Sequence, residues 1–193
     1  MTDTPTDLDL VTAAQGGDRA AFGHLVRRHG ARLLALARQV VGPDGAEDAV
    51  QEAMIDAWRG LGSFAGHAAV GTWLYRVTLN RCLAERRKRR PDIVDVEPLE
   101  LLRRWEDPDY AVDPALVAAR RCQAEVVHKL LDELPEAYRN AVILHDGQGL
   151  SCTEVADVLG IPLGTAKSHI RRSRMALFSL LAEDDRGLLE EAR

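Results

Sequence analysis

Aromatic side chains are scarce in this sequence, at 5% of residues. A core with so few large rings must be built mostly from Leu, Val and Ala, which favours packed helices. Cysteine is rarer still. Cys82, Cys122 and Cys152 are odd in number and widely spaced, with no C-x-x-C pair. That excludes a disulfide framework or a zinc knuckle and fits reduced thiols in a reducing cytoplasm. Long hydrophobic runs are also missing. The most apolar stretch, "ARLLALARQVV", is broken by Arg32 and Arg38 and is too short to span a bilayer. No stable membrane insertion and no signal peptide are expected, and the chain reads as cytoplasmic. His24, His29, His67, His128, His145 and His169 form no H-x-x-x-H or H-E-x-x-H pair, no P-loop occurs, and no Ser-His-Asp set can be placed. No metal, no cofactor and no enzymatic activity are therefore expected.

What is present suits a soluble helical protein. The 193 residues suffice for one medium domain or two small ones, with 46% hydrophobic and 28% charged residues. The net charge of −5 hides a segregation. Arg86, Arg87, Lys88, Arg89 and Arg90 form a basic run; residues 91–113 are mostly acidic; residues 162–182 carry Lys167, Arg171, Arg172 and Arg174 and no carboxylate. Local field matters more than net charge for partner choice.

Helical periodicity dominates, with no convincing alternating strand run. Asp18 is a candidate N-cap for a helix through Phe22 and Leu25, with Gly30 a possible break before Leu33 and Val41. Asp44 or Gly45 opens a second helix. On it Ala46, Ala49, Val50, Ala53, Met54, Ala57, Trp58 and Leu61 form one apolar stripe, opposite Glu47, Asp48, Gln51, Glu52 and Asp56. A Gly-rich loop with Phe64 follows, and Thr72 is positioned to cap a third helix ending before Pro91. Asp113-Pro114 marks another helix start, and Ser151 with Glu154 forms a capping-box pattern. The expected fold is all-α: two small helical domains, residues 1–90 and 114–182, joined by an acidic linker at 91–113 and followed by an acidic tail at 183–193.

"TEVADVLGIPLGTAKSHIRRSRMAL" reads as a helix-turn-helix. Ala156 and Gly160 have the spacing of a helix contact and turn, and Val155, Val158, Leu159, Ile161, Ala166 and Ile170 can fill the shared core. Thr165, Lys167, Ser168, Arg171, Arg172 and Arg174 then lie outward or at the margins, where long cations reach phosphates and guanine edges.

"AEDAVQEAMIDAWRGLGSF", the Gly-rich loop, "GTWLYRVTLNRCLAERRKRR" and the distal helix-turn-helix together resemble the extracytoplasmic-function class of the sigma-70 family, over most of residues 8 to 182. The resemblance implies a subunit that binds core RNA polymerase, reads the −35 and −10 elements of promoter DNA and helps open the duplex. It implies polymerase docking through Asp48, Gln51 and Glu52. Phe64 and Asn80 match the family's base-capture region, and Trp73 a position near the upstream edge of the bubble. Arg76, Arg81, Arg86 and Arg87 are expected to hold −10 phosphates, and the outward residues of the second reader helix to contact the −35 element. The linker acids Asp92, Asp95, Glu97 and Glu100 either imitate nucleic acid in the polymerase channel or form a solvated tether. Ala166 and His169 depart from the family pattern, which leaves the −35 base preference unassigned. An anti-sigma factor is an open further partner, and an autonomous helix-turn-helix regulator is the alternative reading.

Overall fold

The computed structural model describes residues 4–89 and 124–191, with side chains in the second stretch from 129 to 181. The tether, the helix start at Asp113-Pro114, the linker acids and Cys122 lie outside the described residues. Every regular element among those described is helical.

The N-terminal unit has four helices: α1 (Asp7–Gln15), α2 (Arg19–Val41), α3 (Pro43–Gly60) and α4 (Val70–Arg89), with a 3-10 turn (Leu61–Ser63) after α3. Helix α1 was not expected, yet it starts on a complete capping box between Thr6 and Asp9, a T-x-x-D signal written in the sequence. It is tied to α2 through Asp7, which accepts from Arg28 and, at 2.8 Å, from His29 Nε2. Burial alone would raise the Asp7 carboxyl, but the hydrogen bonds from Arg28 and His29 hold it below its ordinary value.

Helix α2 is capped by Asp18 as expected and runs unbroken through Gly30. A mid-helix Gly costs roughly 0.5–1 kcal/mol. Leu25, Leu33, Leu36 and Ala37 on both sides of it are at most 1% exposed, and one buried Leu contributes on the order of 2 kcal/mol. Burial therefore wins. Helix α3 starts earlier than expected, at Pro43, because proline is preorganised for a first helical position. Its Ala46, Ala53 and Ala57 are fully buried and let α2 and α4 approach closely. Helix α4 begins at Val70, so Thr72 is a buried residue inside it and not its cap.

The C-terminal unit contains α5 (Ala124–Glu133), α6 (Glu136–Val142) continuing into a π-helical turn (Ile143–Gly147), α7 (Cys152–Leu159) and α8 (Leu163–Glu191). The buried Arg139 guanidinium donates to the carbonyls of Leu131, Asp132 and Leu134, closing the end of α5. Helix α7 opens on the Ser151–Glu154 capping box and ends at Gly160, whose φ of 67° places it in the left-handed region a glycine adopts freely. Helix α8 continues into the acidic tail as far as Glu191 without a break.

The two units touch. Helix α7 packs on α4, and the turn after α6 packs on α2. Gln148 Nε2 donates to Gln39 Oε1 at 2.7 Å, and a Cβ on Gly147 would lie 2.6 Å from that same oxygen, so the glycine makes room for the contact.

The Ser151–Glu154 box gives a stability prediction. The hydrogen bonds from Ser151 hold the Glu154 carboxyl below its ordinary 4.5, so the stabilisation is present above that value and is lost as pH falls through the lower folded value. Ser151→Ala should cost about 1 kcal/mol in urea unfolding near neutral pH. The gap to wild type should shrink at acid pH; a constant gap across the titration would contradict the assignment.

Candidate polymerase and nucleic-acid interfaces

Three surfaces carry the residues singled out in the sequence. The first is the outer face of α3. Because its alanine stripe is committed to the core, Asp48, Gln51 and Glu52 are left exposed. Glu52 is not isolated: Arg81 donates to it at 2.6 Å, and Asp56 lies 3.6 Å from the same guanidinium. A residue expected to meet polymerase and one expected to meet DNA therefore brace each other.

Beside these polar groups, α2 and α3 enclose an open apolar groove of about 540 Å³, lined by Phe22, Val26, Leu34, Val50, Met54 and Trp58 with Glu47 and Gln51 among its polar groups. Phe22 meets Trp58 edge to face, with ring centroids 5.1 Å apart. Ile55, also on the groove, is 38% exposed. From the sequence only the polar positions are expected to meet polymerase. Ile55, an apolar residue off the core stripe, was the available signal.

The second surface is α4. The helix is buried around most of its circumference, including Leu74, Thr78, Leu79 and Cys82 at 2% exposure or less. Burial pushes the Cys82 thiol up to about 12, so it is inert. As far as Arg87 the exposed residues fall on one stripe. It holds half-buried Trp73 and exposed Arg76, Asn80 and Arg87, at helical spacings of three, four and seven. Phe64, in the preceding loop, packs on Trp73 with centroids 5.2 Å apart. It is thus not the neighbourless loop aromatic its sequence context suggests.

The other two cations of α4 go elsewhere. Arg81 turns to α3, as above. Arg86 is buried and donates to Asp132 of α5 at 2.8 Å. In this arrangement Arg86 faces protein. Arg76 itself donates to the Asp157 carbonyl on α7.

The third surface is α8. Ala166, Ile170, Ser173 and Ala176 are buried, which leaves Lys167, Arg171 and Arg172 exposed and Thr165 and Ser168 half-buried beside them. Arg174 is exposed, but Asp146 holds it with two hydrogen bonds, one of 2.8 Å from Nε, and that pairing raises its guanidinium above the ordinary value. The sequence reading treated His169 only as a departure. Its ring packs on Tyr138 of α6 at 5.1 Å, and burial and then Arg172 lower its pKa.

The fold and these surfaces define a DNA-binding protein of two units, helical throughout the described residues. The model of Sigma-70 region 2 matches residues 25–91, and that of Sigma-70 region 4 matches residues 124–177. The chain is 40% identical, over 91% of its length and 85% of the relative, to the ECF RNA polymerase sigma factor SigM of Mycobacterium tuberculosis. Two solved structures are similar. CnrH in complex with the cytosolic domain of CnrY has a TM-score of 0.68 at 30% identity, over 92% of this chain and 98% of that one. The sigma factor RpoE of Bartonella quintana in complex with the anti-sigma factor NepR has a TM-score of 0.60 at 26% identity, over 83% and 96%.

The chain belongs to the ECF class of the sigma-70 family. It directs promoter-specific transcription initiation with core RNA polymerase, and the autonomous-regulator alternative is not favoured. Among the described residues no helix is long and apolar enough to cross a membrane.

The surroundings of His169 generate a pH prediction. Burial and Arg172 both disfavour the imidazolium, so the ring should titrate below 6.5 in the folded chain. The unfolded chain then takes up the proton first, and stability falls as pH drops through 6.5. Arg172→Ala should move the midpoint upward. An NMR titration placing wild-type His169 at or above 6.5 would refute this.

Proposed function

We propose a division of labour across the three surfaces. The unit at residues 1–90 docks on core polymerase and handles the −10 element. The unit at residues 114–182 reads the −35 element. Docking uses Asp48, Gln51 and Glu52 together with the adjoining apolar groove, which can take an apolar side chain of the partner while the carboxylates meet its cations. Phe64, Trp73 and Asn80 receive an extruded −10 base, by ring stacking and one amide. Arg76 and Arg87 hold the flanking phosphates. Arg81 braces the helix that carries these groups, and Arg86 exchanges Asp132 for a −10 phosphate when the two units part. Thr165, Lys167, Ser168, Arg171 and Arg172 contact the −35 element, with Arg174 set by Asp146.

One observation carries this reading: as far as Arg87 the exposed residues of α4, Arg76, Asn80 and Arg87, share one stripe with half-buried Trp73, and Phe64 lies against its start. The −10 and −35 elements are separated by about 25 base pairs, on the order of 85 Å of duplex. Helices α4 and α7 are in contact, so reading both elements at once requires the two units to part and frees Arg76 from Asp157. Residues 90–123 can reach on the order of 120 Å when extended, which is long enough. We assign no enzymatic activity and a cytoplasmic site of action, where polymerase works. An anti-sigma factor is a further partner class, by likeness to the Bartonella quintana complex with NepR.

Two tests follow. Asp48→Lys should weaken binding to core polymerase more than tenfold with native circular dichroism. It is a cleaner probe than Glu52→Lys, which also sets a cation against Arg81. Unchanged affinity for core would remove the docking assignment. Phe64→Ala and Asn80→Ala should bind core and closed promoter normally but open duplex promoter several-fold more slowly, with recovery on a pre-unpaired −10 template. Permanganate reactivity reports the opening, and equal defects on both templates would point to misfolding instead.

A further inference from the structure

The last residue of α1 reaches into the loop that carries Phe64. Gln15 Nε2 donates to the Leu61 carbonyl at 2.9 Å and to the Phe64 carbonyl at 3.2 Å. Both acceptors are carbonyl oxygens, so the side chain must present its NH2 group here, one hydrogen to each. The Leu61 carbonyl also accepts the Phe64 backbone N–H at 3.1 Å, the hydrogen bond that closes the 3-10 turn. Gln15 therefore clamps this turn from outside and fixes the peptide that follows Phe64. It does so across 46 positions of sequence.

Gln15 is itself exposed. Water could satisfy its amide equally well, and the part-buried Leu61 carbonyl keeps a second donor in the Phe64 N–H. The two bonds thus act mainly on the geometry of the loop and little on the stability of the core. Beyond Phe64 the loop passes through Gly66, whose φ of 75° marks a sharp change in chain direction. The Phe64 ring is held on one side by Trp73 and through its backbone by Gln15.

We infer that Gln15 is a positioning residue for strand opening: it presets the loop so that Phe64 meets an extruded base without first having to be ordered. This rests on the base-capture role proposed above for Phe64. Ordering a loop at the moment of binding subtracts from the binding free energy, and a tie already made in the free protein removes that cost.

The test uses full-length chain assembled with core polymerase, and reads the rate of duplex opening by permanganate reactivity. Gln15→Ala loses both donors and should open duplex promoter about three- to tenfold more slowly. Gln15→Glu keeps the size but turns an anion toward two carbonyl oxygens, and should be slower still. Both variants should bind core and melt thermally like wild type. The deciding comparison is made in the Phe64→Ala background, where Gln15→Glu should have no further effect, because it acts through that ring. Additive slowing in that background, or a rate for Gln15→Glu equal to wild type when Phe64→Ala is slow, overturns the positioning role. A wild-type rate for Phe64→Ala alone overturns the base-capture reading, and this inference with it.

Discussion

Helix α4 sits against α2 and α3 on one side and against α7 on another. Leu74, Thr78, Leu79 and Cys82 are all turned into protein, and with Leu83 and Arg86 also buried little of the helix surface remains. What remains as far as Arg87 is narrow, and it holds Trp73, Arg76, Asn80 and Arg87. The same burial sets the direction of Trp73, the ring on which Phe64 leans. Helix α3 makes this packing possible, since its alanines keep the three helices close. The exposed Asp48, Gln51 and Glu52 are then on the other side of α3. Under the proposed division of labour, docking and duplex opening are mounted on two sides of one small core, so polymerase can grip the unit without covering the α4 stripe.

Charge is shared between structure and function. Arg81 meets Glu52 and Asp56, Arg86 meets Asp132, and Arg174 meets Asp146. The pairs of Arg81 and Arg174 are exposed and contribute up to about 1 kcal/mol each, so they orient side chains more than they hold the fold together, whereas Arg86 is buried. Their consequence is selective: they withdraw some cations from the DNA-facing set and leave Arg87, Lys167, Arg171 and Arg172 more accessible. A basic run in sequence overstates the basic surface.

Much of the architecture was legible. Asp18, the Ser151–Glu154 box and Gly160 do in the structure what their chemistry announces, because caps and turns are local and depend on a few neighbouring residues. The inward residues of the helix-turn-helix were legible for the same kind of reason, since a 3.6-residue period assigns faces before any partner is known. Local signals misled where distant burial outweighed them. Gly30 does not break α2 because leucines on either side are buried. Thr72 is no cap because Val70 is drawn into the core and starts the helix a turn early. Helix α1 carried its own capping box and could have been read.

The sequence alone determined the helical class, the positions of most helix ends and the reader motif, properties carried by residues within a few positions of one another, and the family, carried by the order of several such motifs along the chain. Tertiary structure decided which cations are free, that an apolar groove adjoins the docking carboxylates, that α4 and α7 touch, and that Gln15 reaches the loop of Phe64. Each of these depends on side chains brought together from distant parts of the chain. The helical period says which face a residue occupies, but only packing says what that face meets.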